Sequence, residues 1–164
     1  MIRKIKLKIE KIDSGARRVY GLIITLALII SLEHFQTSSV KVIISILGSL
    51  FVIALAETYV KFISETAKKG KRLSKEEIRH LIKEEFSIML ASEIPVFLFF
   101  LELVNLISLE TAFLLAKLTG IISLFCLGYI LGSLLNKKFL KKFIIGIVSA
   151  VLGMVVIGLK LLMH

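Results

Sequence analysis

The sequence has one cysteine, one proline and no tryptophan in 164 residues, and sets 12 acidic residues against 22 basic ones. Cys126 alone permits no intrachain disulfide and no cysteine metal cluster within one chain. Pro95 alone makes no proline-rich linker, and no internal repeat or low-complexity tract divides the chain. There is no H-E-x-x-H, no phosphate-binding loop and no nucleophile elbow with its partners, and His34, His80 and His164 lie far apart. Hydrolase and nucleotide chemistry therefore lack their usual machinery, and a non-enzyme is expected. The shortage of acid leaves a formal charge of +10, but the basic residues fall between apolar runs instead of forming one patch. Nucleic acid is not an expected partner.

Apolar residues are what the chain has in excess: 57% of it is hydrophobic, with a mean hydropathy of +0.92. That exceeds the share found in soluble domains and makes the lipid bilayer the first expected partner. Five segments approach the roughly 20 apolar residues that a helical span needs. They are 19–35, 40–63, 86–107, 109–135 and 143–162. The first has the shortest clean core, at 19–32. The segment SLEHFQTSS that follows lacks a small-x-small cleavage pattern, so this is expected to be a retained helix and not a signal peptide. The expected fold class is all-α: a polytopic membrane protein with five transmembrane helices, an N-terminal amphipathic helix and a short cytoplasmic helical extension before the third span. One integral membrane domain covers 1–164, with the lead-in at 1–18, helices one and two at 19–63, a charged linker at 64–85 and helices three to five at 86–164.

Nineteen of the 22 Lys and Arg fall before the first span, between Lys61 and Lys83, or at Lys137, Lys138, Lys141 and Lys142. By the positive-inside rule these segments are cytoplasmic. The N-terminus is then inside and the C-terminus outside, in the plasma membrane if the chain is prokaryotic. In MIRKIKLKIEKID, Ile2, Ile5, Ile9 and Ile12 form a helical stripe among cations, as in a helix lying on anionic lipid; strand-like alternation from Ile5 to Ile9 competes with it. Gly70 is placed to stop the second helix, and Ser74 with Glu77 reads as a capping box that starts a new one running into the third span.

Polar residues inside apolar runs are the candidate functional groups, because a carboxylate at bilayer depth costs a few kcal/mol (~3) on insertion scales. In ALAETYVKFISE, Glu57 lies six residues from the end of the second span, and Glu93 lies seven into the third. If both spans are α-helical to those ends, the two carboxylates share a level about 10 Å from the cytoplasmic boundary. There they would share a proton, recruit Lys61 or bind a cation. Pro95 leaves the Ala91 carbonyl without its helical donor, and Met89 precedes Glu93 by four residues, so a mixed oxygen and thioether site for Fe²⁺ or Mn²⁺ is conceivable. Against this, Glu57 and Lys61 form an i, i+4 pair that would neutralise locally. In the outer half, Glu102 and Asn105 stand opposite Lys117, as an ion pair or as one end of a polar pathway. Glu77 and His80 give one E-x-x-H, with Glu84 nearby; a dimer would have to supply the second copy for a di-metal site. Gly128, Gly132, Gly146, Ala150 and Gly153 suit close helix packing, in a compact bundle or a homodimer.

Five spans, the amphipathic lead-in, AETYVKFISE from Ala56 and the glycine-rich GIVSAVLGMVVIG together resemble the vacuolar iron transporter family. That resemblance implies a dimeric transporter moving ferrous iron or manganese out of the cytoplasm in exchange for protons. Glu57 would match the glutamate of the family's second-helix motif, with Tyr59 one place late. The extension after the second helix would match the family's glutamate-rich metal-binding module. The first span here has no Asp, no Met shortly precedes Glu57, and residues 64–85 are shorter than that module.

Overall fold

The computed structural model describes residues 2–35, 38–135 and 138–162, with side chains for all of these except 2–7, 10 and 160–162. The chain is all-helical, with no strand among the described residues, and five of its helical stretches are long and apolar enough to cross a membrane. It is an integral membrane type of fold. The elements are α1 (Ile2–His34), α2 (Ser39–Lys69), α3 (Lys75–Glu85), a 3-10 segment (Phe86–Ser92), α4 (Glu93–Leu103), α5 (Leu109–Leu134) and α6 (Phe139–Leu162). The amphipathic lead-in is helical, but it continues unbroken into the first span instead of forming a separate surface helix. The side chains of Ile2 and Ile5, and all of Lys137 and His164, lie outside the described residues.

The helix ends follow local chemistry. Gly70 takes a left-handed conformation (φ 62°) and donates its N–H to the Thr66 carbonyl, which stops α2 as the sequence indicates. The Ser74 hydroxyl accepts from the Glu77 N–H at 3.2 Å, while the Glu77 carboxylate accepts from the Ser74 N–H at 2.7 Å, completing the capping box of α3. At the other end of the third span, Asn105 (φ 57°) donates to the Glu102 carbonyl and Leu106 to that of Leu101. This is a Schellman stop with asparagine in the glycine position, so Asn105 is a helix terminator here.

α1 is the central helix: it packs against α2, α3, the 3-10 segment, α5 and α6. Its Leu22, Thr25, Leu26, Ile29 and Ile30 are buried. α2 is apolar all round, yet only Ser39, Val42, Ile46, Leu50 and Ala54 are buried, a stripe at helical spacing. Its other faces leave Ile44, Val52, Tyr59 and Val60 exposed, as expected of residues that meet lipid. On α5, positions 112, 116, 120, 128 and 132 are Ala or Gly and buried, every fourth residue except Leu124. A Cβ on Gly128 would come within 2.8 Å of the Ile145 carbonyl of α6, and one on Gly120 within 2.6 Å of Leu26 of α1. The small-residue stripe is thus consumed by packing within the chain.

Gly21 is the tightest crossing at the third span. An added Cβ would lie 2.7 Å from the Ile88 carbonyl oxygen in the 3-10 segment, whereas one on Gly48 would meet nothing within 4 Å. Gly21→Ala is therefore expected to destabilise the protein by about 1–3 kcal/mol, and Gly48→Ala to be neutral or mildly stabilising. Thermal melting of the two variants in one detergent compares them directly.

Candidate functional site

The charged residues within and beside the spans fall into three groups. The first joins α1, α2 and the end of α3 at the Lys- and Arg-rich end of the bundle. Arg17 Nη2 lies 3.0 Å from Glu84 Oε1, and its Nη1 contacts Glu85 Oε2. Lys61 Nζ lies 3.0 Å from Glu85 Oε1 and 3.5 Å from Glu84 Oε1. The planar guanidinium thus gives each of two adjacent carboxylates its own nitrogen, whereas the Lys61 ammonium spans both from a single atom. Glu85 is only 2% exposed. Two cations against two anions make the cluster neutral, which is what allows Glu85 to be buried. A local i, i+4 pair of Lys61 with Glu57 was one alternative the sequence offered; Lys61 turns instead to α3.

The second group is a single pair at the opposite end. Lys117 Nζ reaches both oxygens of Glu33, at 2.7 and 2.8 Å. Glu102, the expected partner of Lys117, has no ion pair among the described residues. Glu33 escaped the sequence reading because it stands just past the clean apolar core of the first span, 19–32, near the end of that span.

The third group comprises the residues the sequence placed together. Glu57 and Glu93 are both exposed, and neither has a hydrogen bond or ion pair among the described residues. Nor are they level. Glu57 is four α-helical residues, about 6 Å, beyond Lys61, while Glu93 is eight residues beyond Glu85, nearly all in 3-10 geometry, or about 15 Å. Phe51 meets Phe86 edge to face at 5.7 Å, and from that contact α2 carries Glu57 six residues toward the Lys- and Arg-rich end while the third span carries Glu93 seven residues away from it, so the carboxylates lie at different depths where equal α-helical rise had put them together. Met89 is also parted from Glu93. In a 3-10 turn residues three apart eclipse, so Met89 aligns with Ser92, whose hydroxyl donates to the Met89 carbonyl at 2.9 Å. Its side chain packs against the main hydrophobic core. Pro95 is buried and has no N–H to offer Ala91, as expected.

The E-x-x-H set is likewise divided. Glu77 is held by its capping box and by Lys69 Nζ at 2.6 Å, while Glu84 belongs to the Arg17 cluster. His80 Nδ1 is 3.8 Å from Glu84 Oε2. No group of three or more His, Cys, Asp or Glu side chains suited to a metal ion occurs among the described residues. Compared with known protein families, curated proteins and solved structures, the chain matches none.

Two outcomes test these assignments. Glu85→Ala leaves Arg17 and Lys61 to share Glu84, one cation in excess in a part-buried cluster, and is expected to cost about 3 kcal/mol in a detergent melt, while Glu85→Leu with Arg17→Met costs less than the sum of the single changes. Glu77 stands in the charged α3, before the apolar part of the third span. The Lys69 ammonium, and then the Ser74 N–H, bring its carboxyl down from 4.5 to about 2. A lowered folded value stabilises above the unfolded one and is lost as pH falls through the folded one. The protection of the Ser74 amide, taken relative to its intrinsic exchange rate, is therefore expected to hold above pH 4.5 and to fall only as pH drops toward 2.

Proposed function

We propose that the chain is one subunit of an oligomeric membrane transporter, a homodimer in the simplest case, that moves a divalent cation such as Fe²⁺ or Mn²⁺ in exchange for protons. The observation that carries this is Glu57: an exposed carboxylate one helical turn before Lys61 on α2, amid exposed Leu55, Tyr59 and Val60, with no partner among the described residues. Facing hydrocarbon, such a group costs a few kcal/mol (~3), and a second subunit or a permeating cation would relieve it. The ion path then runs along the exposed face of α2, between subunits, with Glu57 as ligand or proton carrier. Glu93, deeper in the bundle, is a second station and not a co-ligand. The Lys- and Arg-rich end faces the cytoplasm.

A different observation favours a partner-binding protein that transports nothing. The inward-facing charges of the bundle are already neutralised, Arg17 and Lys61 by Glu84 and Glu85, and Lys117 by Glu33. In that reading Glu57 binds a cationic residue of another membrane protein. Metal uptake into liposomes holding the purified chain separates the two. Transport predicts saturable Fe²⁺ or Mn²⁺ entry that responds to a pH gradient and is abolished by Glu57→Gln at unchanged melting temperature. No uptake by the unaltered chain overturns it and leaves the partner-binding reading.

A further inference from the structure

A groove of about 830 Å³ opens between α1, the α3 and 3-10 stretch, and α5. Its two ends differ in chemistry. Lys11 and Arg18, two turns apart on one face of α1, and Lys83 of α3 line the end beside the ion cluster. Leu90, Leu127 and Ile130 line the part that runs into the apolar zone. Leu90 and Ile130 are 44% and 51% exposed, so this wall stands open to the side and is not sealed into the core.

The three cations are unlike Arg17. Arg17 is taken up by Glu84 and Glu85, whereas Arg18, Lys11 and Lys83 have no ion pair among the described residues. The Arg18 Nε is shut off from solvent and has no hydrogen-bond partner among the described residues. Among the described residues one carboxylate, that of Glu84, borders the groove, and Arg17 and Lys61 already hold it. Among the described residues the cationic end therefore carries an excess of positive charge, at the edge of an apolar track that leads toward the bilayer interior.

We infer that this groove binds an anionic glycerophospholipid, its headgroup phosphate on Lys11, Arg18 and Lys83 and an acyl chain along Leu90, Leu127 and Ile130. A free phosphate would use the cations but leave the apolar wall unfilled. A neutral lipid would fill the wall but leave the cations unpaired. Only a molecule with an anionic head and a hydrocarbon tail meets both requirements, and basic pockets between membrane helices are known to hold such headgroups. The inference does not depend on whether the protein transports a cation.

The test is native mass spectrometry of the full chain released from phosphatidylcholine nanodiscs that contain a minor share of phosphatidylglycerol. The unaltered protein is expected to retain phosphatidylglycerol over phosphatidylcholine. Lys11→Gln, Arg18→Gln and Lys83→Gln together are expected to lower that preference at least about tenfold, since each cation near an anionic headgroup contributes appreciably. Lys141→Gln with Lys142→Gln removes charge elsewhere and should leave it unchanged. Should the triple variant fail to fold, Lys83→Gln alone, at an exposed site, should still weaken retention, and Leu90→Trp should block the acyl track. Equal retention by the charge variants and the unaltered chain, equal loss in the Lys141 and Lys142 control, or full displacement by inorganic phosphate would overturn the proposal.

Discussion

Arg17 holds two consecutive carboxylates with one guanidinium, and the course of the third span follows from that contact. Glu84 and Glu85 close α3, where the helix dipole disfavours negative charge, so they need cations from elsewhere. Arg17 supplies one from α1 and Lys61 a second from α2, tying three helices at one level. Four residues on from Arg17 comes Gly21, and three on from Glu85 comes Ile88, and these two meet. The ion cluster and the glycine crossing are successive turns of one interface. Because the charges cancel within the cluster, α1 can sit at the centre of an otherwise apolar bundle.

Along α1 the interior is bounded by charge twice. From Arg17 to Glu33 is 16 residues, about 24 Å, somewhat less than the hydrocarbon thickness of a bilayer of about 30 Å. Both ion-paired levels therefore lie near or just inside the edges of the lipid. Between them the described core is aliphatic and aromatic, with Phe99 and Phe113 meeting edge to face at 4.9 Å.

The features legible in the sequence were the local ones. Five apolar lengths gave five spans, and Gly70 and Ser74 with Glu77 gave a helix stop and start, because caps depend on neighbours within a few residues. The glycines expected to pack closely do so between α5 and α6, whereas the charged pairings read across helices, Glu57 with Glu93 and Glu102 with Lys117, do not form among the described residues. In a soluble helix, polarity marks the outer face; in α2 lipid and protein both select apolar residues, so the buried stripe from Val42 to Ala54 cannot be told from its exposed neighbours by hydropathy. Depth arithmetic also assumed one rise per residue, and the 3-10 segment broke that assumption for Glu93 and Met89. The signals for that segment were present in Ser87 and Ser92, whose hydroxyls donate to the carbonyls three residues back, and in Pro95 just beyond.

The same segment changes how well the third span fits a bilayer. Its apolar part, from Phe86 to Leu103, holds 18 residues. As a regular α-helix that length would be about 27 Å, short of the lipid interior. With the seven residues from Phe86 to Ser92 wound at the longer 3-10 rise, it becomes about 30 Å. The segment thus removes a hydrophobic mismatch that the residue count alone would have imposed, so the bilayer need not thin around this helix.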